Sequence, residues 1–110
     1  MDRDDAIYQA LGDILLAIVP RQARVAYLDA WVSYEADHAR LHFNYLDKHG
    51  ELQVFMSPNG RIDHDILVLL ARLREFFMVN GLYAGGRPWS GCQVSLPLDS
   101  ARVSVEFKYD

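Results

Sequence analysis

The stretch Leu67-Val68-Leu69-Leu70-Ala71-Arg72-Leu73-Arg74-Glu75-Phe76-Phe77, stopped by Asn80-Gly81 and followed by Trp89 and two alternating runs, decides how this chain reads. Ile66, Leu69, Leu70, Leu73, Phe76 and Phe77 recur three and four residues apart, a spacing that gathers them on one wide face of a helix. Such a face has to be buried, so a partner layer is required. Before it, Ser57-Pro58-Asn59-Gly60 places four turn-forming residues in a row, and Asp63 is the expected cap of a helix starting near His64. Asn80-Gly81 is the expected left-handed stop.

Outward from that helix, the period changes from 3.6 to two. Cys92, Val94 and Leu96 alternate with Gln93 and Ser95; after Pro97-Leu98-Asp99-Ser100, Val103, Val105, Phe107 and Tyr109 alternate with Arg102, Ser104, Glu106 and Lys108. This predicts a closing hairpin. The connection from Leu82 to Pro88, with Gly85-Gly86, is expected to be the most mobile internal segment. On the N-terminal side, Ala26, Leu28, Ala30, Val32, Tyr34 and Ala36 share one face of a strand and Tyr27, Asp29, Trp31, Ser33 and Glu35 the other. Asp37-His38 turns the chain into a second strand carrying Leu41, Phe43 and Tyr45, and Asp47-Lys48-His49-Gly50 into a third, Leu52 to Met56. Ile7, Leu11, Ile14, Leu15 and Ile18 mark a first helix, capped by Asp4 or Asp5 and ended by Pro20.

The order α-β-β-β-α-β-β predicts a single α+β domain spanning 1–110, an antiparallel sheet of about five strands with both helices on one face. The other face is left to solvent or a partner. A length of 110 residues with 51% hydrophobic content suits one core and not two. The longest apolar run, Ile14 to Val19, is far short of the ~20 residues that span a bilayer, and the acidic start Met1 to Asp5 is unlike a secretory signal. A cytoplasmic protein with no membrane partner is expected.

Cys92 is the single cysteine, so no intramolecular disulfide can form, and on an inward strand position it reads as a core residue. His38 and His42, four apart on a strand, stand ~13 Å from one another, too far to share a metal unaided. Asp63-His64-Asp65 reads as helix-start chemistry, and Gly81, Gly85 and Gly86 lack the strand-turn-helix context of a phosphate loop. No catalytic residue, metal site or cofactor is therefore expected. The net charge of −4 and the scattered Lys and Arg argue against direct nucleic-acid binding and favour a basic protein partner. The candidate contact residues are Tyr27, Asp29, Trp31 and Glu35 on the open face of the first strand, with Asp37, Asp47 and Glu51 in turns expected near its rim.

At Leu69, Leu73, Arg74, Phe76 and Phe77, then Gly81, Pro88-Trp89 and Val103-Ser104-Val105-Glu106-Phe107-Lys108-Tyr109, the chain resembles the YezG-like immunity proteins of bacterial polymorphic toxin systems. The shared features are a helix with an LR-x-x-F element, a glycine, a PW pair and an aromatic-ending last strand. The resemblance implies a non-enzymatic antitoxin that binds a cognate toxin domain, often a nuclease, and neutralises it by occlusion. It does not carry over any contact residue. The alternative reading is a small-ligand-binding or enzymatic α+β domain with its pocket between sheet and helices, near Tyr34, Tyr45 and Cys92. A homodimer formed through the aromatic strand is a further expectation left open beside the monomer.

Overall fold

The computed structural model of the chain describes residues 3–81 and 89–109; the expected mobile loop at 82–88 lies outside the described residues. The elements are α1 (Arg3–Ile18), β1 (Ala23–Val32), β2 (Ala39–Asp47), β3 (Leu52–Phe55), α2 (Gly60–Val79), β4 (Gly91–Pro97) and β5 (Ser104–Lys108). The strands form one antiparallel five-stranded sheet in the order β3-β2-β1-β4-β5. β1 is therefore the central strand, with β2 on one side and β4 on the other.

The period-two reading of β1 is the register of the core. Ala26, Leu28, Ala30 and Val32 are buried, and across them stand Phe43 and Leu41 of β2 and Cys92, Val94 and Leu96 of β4. Leu11 and Leu15 of α1 and Ile66, Leu70, Leu73 and Phe77 of α2 close over this surface from the same side. Each such side chain removed from water stabilises the fold by roughly 1.5–3 kcal/mol before chain entropy is subtracted. Gly12 lets α1 approach the residue that precedes β5: a Cβ there would stand 2.3 Å from Val103 Cγ2.

Element boundaries depart from expectation where two turn signals compete. β1 ends at Val32 and not Ala36, because Ser33 starts a hydrogen-bonded turn: its N–H donates to His38 O, and its hydroxyl donates to Asp37 Oδ1 at 2.8 Å. Asp63 is not the cap of α2. Asn59 holds that place with an extended backbone, its side chain accepting from Ile62 N at 3.0 Å, so α2 starts four residues before His64 and Asp63 sits inside its first turn. The helix ends as the sequence implies, though the left-handed residue is Gly81 (φ 68) and not Asn80 (φ −96). In α1 the helix is already running at Asp4 and Asp5, which removes both as caps.

Candidate interaction face

The two faces of the sheet differ in what covers them. Both helices pack on the side of Ala26, Leu28 and Ala30; among the described residues no element covers the side of Tyr27, Asp29 and Trp31. The pairing register determines the neighbours of that open side. Trp31 stands opposite Arg40 of β2 and Gly91 of β4, and Gly91 opposite Lys108 of β5; Asp29 stands between His42 and Gln93, and Tyr27 between Asn44 and Ser95. Gly91 permits this close pairing, since a Cβ there would be 2.8 Å from Ala30 O.

Trp31 is 37% exposed and held on two sides. The Arg40 guanidinium lies 5.4 Å from its ring centroid and the His38 ring 5.6 Å. A cation stacked on an indole gains about 0.5–1 kcal/mol at an exposed site, enough to bias both side chains toward one arrangement. Gln93 Nε2 donates to Asp29 Oδ1 at 3.2 Å, fixing the carboxylate in the floor of a shallow hollow of about 380 Å³ shared with Trp31, Arg40, His42 and Lys108.

The predicted contact residues are not gathered in one patch. Tyr27, Asp29 and Trp31 share the open face, whereas Glu35 and Asp37 lie in the turn after β1 and Asp47 and Glu51 at the far end of β2, about 27 Å away along the strand. Two of the acids also have structural partners. Asp37 accepts from the Ser33 hydroxyl and lies 2.8 Å from His38 Nδ1; these hydrogen bonds, Ser33 first, hold its carboxyl below the usual range. Asp47 Oδ1 accepts from the backbone N–H of His49 and of Glu51, both at 2.9 Å, and its carboxyl is lowered chiefly by the bond from Glu51. Nor is the face uniformly acidic. Arg40, His42 and Lys108 come from strands whose place beside β1 is set by the register, which one strand's alternation does not reveal.

The groups proposed for a pocket do not converge. Tyr34 is 89% exposed, Tyr45 is buried and its hydroxyl accepts from Gln22 Nε2, and Cys92 is fully buried, its thiol pushed up to about 12 by desolvation. A thiol so raised stays protonated and is no nucleophile at neutral pH. A larger cleft, of about 570 Å³, opens elsewhere, between the first turns of α2 and strands β2 and β3. Among the described residues no set of three His, Cys, Asp or Glu side chains is placed to hold a metal ion, and no helix is long and apolar enough to cross a membrane.

The buried charge at the aromatic end of the core, Arg74, was not foreseen. Arg74 is 5% exposed, its Nε donating to Trp89 O at 3.1 Å, Nη2 to Val32 O at 2.8 Å, and Nη1 to Ser33 O and to Tyr34 O. Its guanidinium also stacks 5.2 Å from the Trp89 ring, which packs against Phe77 and Phe107. Its spacing from Leu70 and Phe77, four and three residues, was the available sign. No family model matches the chain, and a comparison with curated proteins gave no match either.

Proposed function

We propose that this domain is a protein-binding module of the immunity type, which neutralises a cognate toxin domain by covering it with the open face of its sheet. The observation that carries this reading is a face without a covering element whose exposed large side chains, Trp31 on β1 and Leu52 and Val54 on β3, sit among charges of both signs. Interfaces concentrate their energy in aromatic and arginine anchors surrounded by polar groups, and Trp31 with Arg40 is such a pair, already oriented before a partner arrives. Preorientation lowers the ordering cost of association.

Charge supplies the direction of approach. The net charge of −4 attracts a basic domain, and the acidic turns, Glu35 with Asp37 and Asp47 with Glu51, flank the face at opposite ends. A nuclease, whose substrate cleft is basic, is the partner that both this charge and the resemblance to immunity proteins favour. No covalent step is involved; the toxin is blocked by occupation of its surface.

The test is co-expression and co-purification with a toxic C-terminal domain encoded beside this gene. The expected result is a stable complex and restored growth, with Trp31→Ala weakening binding by about 100-fold, the size of a central aromatic anchor. Asp29→Lys and Glu35→Lys should slow association most at low salt. A folded Trp31→Ala that neutralises with unchanged affinity would remove this face from the reading, and no complex with the neighbouring domain would remove the immunity function itself.

A further inference from the structure

The two outer strands of the sheet are finished differently. β5 presents Ser104, Glu106 and Lys108 as exposed residues along its length, and charges on an edge guard it against pairing with another sheet. β3, the opposite outer strand, runs Leu52-Gln53-Val54-Phe55 and is followed by Met56, with no charged residue in that stretch. Leu52, Val54 and Met56 are all largely exposed.

Pairing with β2 determines which backbone groups of β3 are taken. Asp47 N–H donates to Glu51 O at 2.9 Å, so Glu51 turns its backbone groups toward β2, and at every second residue Gln53 and Phe55 do the same. Leu52 and Val54 therefore direct theirs outward, and Met56 is next in that alternation. Among the described residues no turn, cap or side-chain bond takes these groups up. A row of outward N–H and C=O groups is met by an extended strand, so the occupant of this edge is a strand.

A second copy of β3 is complementary to the edge. In an antiparallel pair with Val54 opposite Val54, Leu52 falls opposite Met56 at both ends. Outward backbone groups then meet outward backbone groups, and the three apolar side chains of each copy stay on one side of the sheet. A two-fold axis through the Val54 pair generates this arrangement, the closed isologous form. Charge does not oppose it, because Glu51 falls opposite Ser57 and the two Glu51 residues stand ~20 Å apart along the ladder. Pro58, which has no N–H to give, limits the ladder's length. So short an edge buries less than the ~800 Å² per partner of a standard interface, which places the contact in the weak class, with a dissociation constant on the order of 10–100 μM.

We propose that the chain forms a weak two-fold dimer through its β3 edges, joining two sheets into one continuous sheet. β1, the aromatic strand considered for a homodimer, is paired on both sides and has no free edge. The proposal does not rest on toxin binding, yet it bears on it: the axis is perpendicular to the sheet, so both open faces lie on the same side, with the two β1 strands ~24 Å apart.

The experiment is sedimentation velocity on the whole 110-residue chain from about 5 to 500 μM, across which monomer should give way to dimer. Val54 is 76% exposed, so Val54→Lys spares the core while setting two ammonium groups beside each other on the axis, and it should weaken association about tenfold or more. Val54→Pro removes an outward N–H and should also weaken it. A thiol reads the register. With oxidised glutathione as oxidant, Val54→Cys should form an intermolecular disulfide, since hydrogen-bonded pairs stand ~5.5 Å apart at Cα, whereas Leu52→Cys, ~13 Å from its mate, should not. Cys92 is buried and does not compete. A chain that stays monomeric to about 500 μM, leaving the edge to a strand of another protein, would overturn the proposal. So would a dimer that Val54→Lys and Val54→Pro, each with a native thermal melt, leave unweakened, or cross-linking as ready through Leu52→Cys as through Val54→Cys.

Discussion

The two ends of α2 treat a charged side chain in opposite ways. Near its C-terminal end Arg74 is buried with its donors spread over the carbonyls of Val32, Ser33, Tyr34 and Trp89 and its plane on an indole; near its N-terminal end Asp63 leaves an oxygen buried with no donor. Burial lowers the Arg74 pKa, yet its carbonyl partners have no better donor than a cation, so the charge is kept. The Arg74 charge is fully partnered and joins α2, the end of β1 and Trp89 ahead of β4, although the buried Trp89 Nε1 has no acceptor among the described residues. Asp63 lies beside the larger cleft, with its unpartnered Oδ1 shielded from solvent. Within one helix, the fully partnered charge is the one that ties distant segments together.

The largest effect should come from breaking the Arg74 end. Arg74→Leu fits the apolar stripe by shape but orphans three buried carbonyls and removes the cation from Trp89, so a loss of about 3 kcal/mol or more in unfolding free energy is expected, read from denaturant midpoints at unchanged slope. Arg74→Lys should recover less than half of it, because one ammonium cannot reach the carbonyls of both Val32 at the end of β1 and Trp89. A loss under about 1 kcal/mol for Arg74→Leu would mean that the carbonyls find other donors, and the contrast between the ends would fail.

A smaller loss is expected one step out from that anchor. The Ser33 hydroxyl donates to Asp37 and accepts from the backbone N–H groups of Asp37 and His38, so Ser33→Ala should cost about 1–2 kcal/mol and loosen the turn that Arg74 grips. The same network gives an acid limb. Asp37 has its folded pKa held below 3.8, chiefly by the Ser33 hydroxyl and then by His38; its stabilising contribution is present above pH 3.8 and is lost as pH falls through the lower folded value. Asp37→Asn should flatten the stability profile in that window below pH 3.8 and leave the neutral region with little pH slope, as urea melts across the range will show.

How legible each end was in the sequence follows from the range of the interactions involved. The apolar stripe of α2 and the alternation of β1 are local patterns, and both faces were read from them. Arg74 lies on the same stripe as Leu70, Leu73 and Phe77, but its carbonyl partners at 32–34 are some forty residues distant, and no local pattern names them. The charges around Trp31 were hidden for the same reason: Arg40 and Lys108 reach it only through the register of β2 and β5. The cap was a different failure, a contest between Asn59 and Asp63 that both obey the rule for such residues.

Asp63→Asn should have the smallest effect on stability, and its sign separates the two ends most sharply. Removing the charge forfeits its favourable interaction with the N-terminal dipole of α2, about 0.3–1 kcal/mol, and lessens the cost of the unpartnered oxygen, which the partial exposure of Asp63 keeps at the low end of its range, about 1 kcal/mol in the other direction. The net change should stay within about 0.5 kcal/mol, measured by thermal melts at low and at moderate salt, with the loss growing slightly at low salt where the dipole term is least screened. A loss above about 1.5 kcal/mol would show that the carboxylate is bonded within the fold after all, as Arg74 is. Asp63 would then belong to the architecture, and the contrast between the two ends of α2 would fail.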